Sequence, residues 1–158
     1  MKSQTARAWN DSKGADPMKY ALSISEGETF VRVRVYTSVS EDLALEFLRA
    51  ASATADKNNV KSFLFDVRGV PCAMGSWAAY EIAYSKLAPL GYRWDSRMAL
   101  LASPGDQTYD FLRTVARNAG YPWKSFSDEE EAIAWLDNSR PYEEDRSDKT
   151  EAGKRDSV

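Results

Sequence analysis

The chain has 158 residues, a formal net charge of −3 and no histidine. That length builds one domain with a real core, and that charge offers no basic field to draw nucleic acid or an anionic membrane. Without histidine, Ser-His-Asp and Cys-His catalysis and histidine-ligated zinc are all excluded.

Cys72 is the single cysteine, so no internal disulfide framework exists. No apolar run approaches the roughly 20 residues that span a bilayer. Residues 1–17 contain no apolar segment of the kind a secretory signal needs, so the expected location is the cytoplasm. An enzyme would have to work with Asp, Glu, Lys, Tyr or Cys72, and no phosphate loop, nucleophile elbow, calcium loop or CxxC pair is present. We therefore expect no catalysis, no cofactor and no metal.

Residues 1–17 and 139–158 are polar or of mixed charge without apolar periodicity, and are expected as disordered tails around a domain at 18–138. Within the domain, Tyr20, Leu22 and Ile24 alternate, Glu26-Gly27 makes a turn, and Val31, Val33 and Val35 mark one face of a longer strand. Together they predict an antiparallel hairpin. Ser40 before Glu41-Asp42 predicts a capped helix start, with Leu43, Phe47, Leu48 and Ala51 as its apolar stripe.

Ser62–Val67 is short, nearly all apolar and predicts a strand buried on both faces. From Ser76, the residues Trp77, Tyr80, Tyr84 and Leu87 recur at helical spacing until Gly91. Met98–Ala102 predicts another buried strand. Phe111, Leu112, Val115 and Ala119 predict a helix that stops at Gly120. Trp123–Phe126 reads as a last strand, and Ser127 as the cap of a helix bearing Ala132, Ile133, Trp135 and Leu136. The pattern is that of an α/β fold, with a small mixed, mostly parallel sheet, an N-terminal antiparallel hairpin and about four helices packed on it.

This order resembles the STAS-like family related to bacterial anti-sigma factor antagonists (SpoIIAA-like), a family also akin to the CRAL-TRIO lipid-carrier fold. The residues that carry the resemblance are Asp66-Val-Arg-Gly69 at a strand end and Asp128 to Leu136, which closes on Ala-Ile-Ala-Trp-Leu. The likeness spans roughly residues 18–138. It implies a non-enzymatic module that binds a partner kinase under control of serine phosphorylation at the start of the helix after the strand at 62–67. Ser76 is the nearest match, but Met74-Gly75 precede it where the family pattern has an aspartate.

The candidate ligand or partner site is drawn from Asp66, Arg68, Gly75, Ser76, Trp77, Tyr80 and Tyr84. Asp66 and Arg68 read either as a ligand-binding pair at a strand's carboxyl edge or as a salt bridge closing a turn, with Gly69 at an unusual φ. Gly75-Ser76 reads either as an anion or phosphoryl site at a helix start or as a plain serine N-cap. Trp77, Tyr80 and Tyr84 read either as the lining of a pocket for a small hydrophobic ligand or as plain core.

Phe30, Arg32, Arg34 and Tyr36 form the other face of the second strand. They are better read as a solvated or dimer-forming surface than as an RNA platform, since the chain is acidic overall. Cys72 beside Pro71 reads as inert. The expected function is a non-catalytic cytoplasmic regulatory or protein-interaction module that binds a protein partner or itself. The alternative is a carrier or sensor of a small hydrophobic, lipid-like ligand held between the helix at 76–90 and the sheet. No nucleic acid and no membrane span is expected.

Overall fold

Val31, Val33 and Val35 alternate with Phe30, Arg32 and Arg34, and a computed structural model shows what that alternation builds. The structure describes residues 18–24, 27 and 29–137. The expected tails at 1–17 and 139–158, and the turn residue Glu26, lie outside the described residues.

Strand β1 (Tyr20–Ser23) pairs antiparallel with β2 (Phe30–Val35), setting Tyr20 opposite Val35. Then β3 (Ser62–Asp66), β4 (Met98–Leu101) and β5 (Trp123–Phe126) add in parallel, giving a five-stranded mixed sheet in sequential order. Among the described residues four helices pack on it. They are α1 (Glu41–Asn58), α2 (residues 76–90), α3 (Asp110–Asn118) and α4 (Glu129–Leu136).

Since side chains alternate across a strand, β2 sends its valines to one face and Phe30, Arg32 and Arg34 to the other. The valine face, with Phe63, Phe65, Met98, Leu100 and Trp123, forms one apolar core with α1, α2 and α3. Among the described residues the opposite face is covered by α4 alone, which packs over β3, β4 and β5. There Phe30, Leu64, Ala99 and Leu101 meet Ala132 and Leu136 in a second, smaller cluster. Phe30 is thus buried, contrary to its expected place on a solvated surface, because α4 returns across the sheet from the far end of the chain.

All three parallel crossovers carry their helices to the same side, as right-handed connections between strands in sequential order must. The parallel strands therefore contain no reversal of winding direction, and the crevice that such a reversal opens in doubly wound sheets is missing among the described residues.

Local chemistry explains the ends of the helices. Ser40 caps α1, its Oγ accepting from the Leu43 N–H at 3.2 Å, while Glu41 and Asp42 meet the positive end of the helix dipole. The cap of α4 is Asp128 rather than the expected Ser127, and its carboxylate accepts from the Glu131 N–H at 3.0 Å. Gly91 closes α2 at φ 110°, where an added Cβ would lie 2.5 Å from the Ser52 Oγ. Only glycine fits both demands. On α3, Leu112 and Val115 are buried as expected, but Phe111 is exposed.

Candidate functional site

Helix α2 carries most of the expected site residues, and its backbone is irregular. An α-helical start (Ser76–Glu81) runs into a π-helical turn (Ile82–Lys86) and a final α turn (Leu87–Leu90). Pro89 has no N–H to give the Ser85 carbonyl and its ring would crowd a regular turn. The wider π turn lets the Leu87 N–H reach the Ile82 carbonyl.

The extra residue rotates the end of the helix by roughly 100° against its start. The buried face consequently reads Ala79, Ile82, Ala83 and Leu87. Contrary to what unbroken helical spacing predicts, Trp77, Tyr80 and Tyr84 do not share it with Leu87. Their side chains point outward, with exposures of 69%, 44% and 48%. The three rings form a continuous ledge. Trp77 stacks on Tyr80 with centroids 5.7 Å apart, and Tyr80 meets Tyr84 at 4.7 Å.

Ser76 is exposed at the first helical position. The N-cap is Gly75, not Ser76, and no side chain satisfies the helix start. The serine-cap reading is therefore corrected, and the Ser76 hydroxyl stands free beside the ledge.

The core reading of the three aromatics fails because they face solvent, and the cavity beneath α2 gives the pocket reading no support. The cavity between α1, α2, α3 and the sheet has a volume of about 30 Å³ and is lined by residues such as Phe47, Phe65, Ile82 and Leu87. Pockets for drug-sized ligands run to about 300–1,000 Å³. Neither Trp77, Tyr80 nor Tyr84 lines this space.

Asp66 and Arg68 belong to the other side of the sheet. Asp66 ends β3 and is 3% exposed. Arg68 grips it with both arms of the guanidinium, Nε to Oδ1 at 3.0 Å and Nη2 to Oδ2 at 2.7 Å, and its backbone N–H donates to Oδ1 at 3.2 Å. Arg34, on the neighbouring strand, reaches the same Oδ1 through Nη1 at 2.7 Å. Gly69 follows at φ 83°, the unusual backbone expected there.

Burial pushes the Asp66 carboxyl up, but the hydrogen bonds from Arg68 and the charges of Arg34 and Arg68 outweigh it and hold the group below its ordinary value. Such a carboxylate is an ionised acceptor, unsuited to trading protons near neutrality. The pair extends to Glu129 at the start of α4, whose oxygens take Arg68 Nη2 at 3.2 Å and Arg32 Nη1 at 3.0 Å. Glu129 escapes a reading of local patterns. Its signal is the acidic run Glu129-Glu130-Glu131, which reads as helix-start chemistry rather than as a partner for β2.

The expected site thus divides. Gly75, Ser76, Trp77, Tyr80 and Tyr84 gather on α2, while Asp66 and Arg68 gather with Arg32, Arg34 and Glu129 on the opposite face. Phe30, buried beneath α4, offers no ring for base stacking. Cys72 is half-buried, and burial pushes its thiol up, with the charge of Asp106 adding to the effect. Its N–H donates to Thr108 Oγ1 at 2.9 Å, a bond that ties two loops together.

Among the described residues no group of three or more His, Cys, Asp or Glu side chains is placed to hold a metal ion. No described helix is long and apolar enough to cross a membrane.

No family model matches the chain, and no curated protein does. Solved structures with a similar fold include the anti-sigma factor antagonist SpoIIAA in its unphosphorylated form. It is 19% identical, with a TM-score of 0.45 over 75% of this chain and 98% of that one. An uncharacterized DUF3478-family protein from Shewanella loihica with a SpoIIAA-like fold is 13% identical, with a TM-score of 0.48 over 74% of this chain and 91% of its own. The Bacillus cell fate determinant SpoIIAA in the phosphorylated form is 21% identical, with a TM-score of 0.44 over 74% of this chain and 98% of that one.

Proposed function

We propose that the chain is a non-catalytic, cytoplasmic regulatory module that binds a protein partner through the outer face of α2. The observation that carries this reading is the ledge of Trp77, Tyr80 and Tyr84, which stands in solvent on a helix anchored from behind by Ala79, Ile82, Ala83 and Leu87. Exposed aromatic patches of this kind are expensive to leave in water and mark interaction surfaces. Tryptophan and tyrosine dominate the energetics of such surfaces. A ligand carrier gains no support from the cavity beneath α2, which is about 30 Å³.

Ser76 supplies the control. A phosphate there would sit at the uncapped, positive end of α2, where added negative charge is tolerated, and one residue from the ledge. The test is capture of partners from a cell extract by the wild-type chain, by a Trp77→Ala/Tyr80→Ala variant and by Ser76→Glu, each quantified by mass spectrometry. Proteins retained by the wild type are expected to be lost with the double variant and reduced with Ser76→Glu. Identical retention by all three would overturn the reading.

A further inference from the structure

The sheet has two outer strands, and they are finished differently. At one end β5 carries Lys124, a charge of the kind that discourages a further strand from adding. At the other end β1 reads Tyr-Ala-Leu-Ser and runs on into Ile24, with no charge and no proline. Its ladder with β2 is one-to-one from Tyr20 opposite Val35 to Ser23 opposite Arg32, so no bulge turns this edge away.

The register also says which backbone groups face outward. The Tyr36 N–H donates to the Lys19 carbonyl at 2.8 Å, which makes those two a hydrogen-bonded pair. Such pairs alternate along an antiparallel ladder, so Ala21–Arg34 and Ser23–Arg32 are hydrogen-bonded and Leu22–Val33 is not. The N–H and C=O of Leu22 therefore point away from β2, and among the described residues no other backbone group takes them. The Leu22 side chain is half-buried at the margin of the larger core, on the same face as the buried Tyr20 and Ile24.

We propose that β1 pairs antiparallel with β1 of a second copy of this chain, about a two-fold axis at Leu22, so that two sheets become one. Leu22 then exchanges both backbone hydrogen bonds with Leu22 of the second copy, Ala21 falls opposite Ser23, and Tyr20 falls opposite Ile24. A two-fold interface sets a strand against itself, so any charge near the axis would meet its own kind. Tyr20–Ile24 carries none, which is why a second copy fits this edge. Each Leu22 also closes the margin of the other copy's core. The inference does not rest on the reading of the ledge.

The test uses the full chain. Sedimentation velocity is expected to show a monomer passing to a dimer as concentration rises. Leu22→Lys and Leu22→Glu each set two like charges together on the axis, and each is expected to weaken dimerisation about tenfold or more. Mixing the two variants is expected to restore the dimer. Hydrogen exchange of the unaltered chain serves if the charged variants do not fold: the Leu22 amide is expected to be protected at high concentration and to exchange freely on dilution. A monomer at every concentration, a dimer that the Leu22 variants leave intact, or mixed variants that stay monomeric would overturn the proposal. A Leu22 amide that stays protected in the monomer would assign the edge to residues 1–17 of the same chain, and would overturn it as well.

Discussion

The two faces of the sheet are built from the same strands by the same alternation, and they end up as opposites. On one, three helices seal Val31, Val33, Val35, Phe63 and Phe65 in a continuous apolar core. On the other, α4 packs over β3, β4 and β5 and buries Phe30 of β2, and the open part is occupied by a chain of ion pairs from Arg34 through Asp66, Arg68 and Glu129 to Arg32. Stability is concentrated on the first face, where burial is complete. The second face and the outer surface of α2 instead keep charged and aromatic side chains in contact with water.

The comparison breaks most violently in the sealed core. Phe65 is 2% exposed and touches both Phe47 and Phe63. Phe65→Ala is expected to destabilise by about 3–5 kcal/mol in chemical denaturation, the range for a phenylalanine cavity with little room to collapse.

Asp66→Asn comes next. Removing one partner from a buried pair leaves charge uncompensated at about 3–5 kcal/mol. Because Arg34 and Arg68 are 37% and 38% exposed, water relieves part of that. We expect about 1–3 kcal/mol in the same assay, below the fully buried case.

Acid sharpens the contrast further. Asp66 titrates lower in the fold than in the unfolded chain, where an aspartate has a pKa of about 3.9. Its contribution is therefore fully present above that value and is lost as pH falls through the folded one. Urea midpoints of wild type and Asp66→Asn are expected to differ at pH 7 and to converge as pH falls below about 4. A gap between them that stays constant into acid would contradict the assignment of the low value to this carboxylate.

The smallest effect on stability is expected at the ledge. Trp77 is 69% exposed, so Trp77→Ala should stay within about 0.5 kcal/mol of wild type while partner binding falls.

Much of this architecture was legible along the chain because it is written in local pattern. The alternation of valines in β2, the Ser40 cap with its two acids, and the all-apolar run of β3 each point to one structure, and the structure contains it. The cap of α4 slipped by one residue because Ser127 and Asp128 are both short polar acceptors, and only the carboxylate of Asp128 reaches the Glu131 N–H.

The ledge escapes helical periodicity for a different reason. Helical spacing assumes a constant turn, and the π turn at Ile82–Lys86 adds a residue that parts Leu87 from the aromatics before it. The burial of Phe30 and the bond from Arg32 to Glu129 join residues nearly a hundred positions apart, and no local pattern encodes such a pairing. Asp66 and Arg68 were legible as a pair. Arg34 as their third member required the parallel register that sets it opposite Asp66.

The most direct test of the central claim is photo-crosslinking in cells from single positions carrying a benzophenone side chain. The account predicts that position 77 or 80 on the outer face of α2 crosslinks to a discrete protein, while position 49 on the exposed side of α1 does not. Equal crosslinking to that protein from position 49, or none from positions 77 and 80, would contradict it.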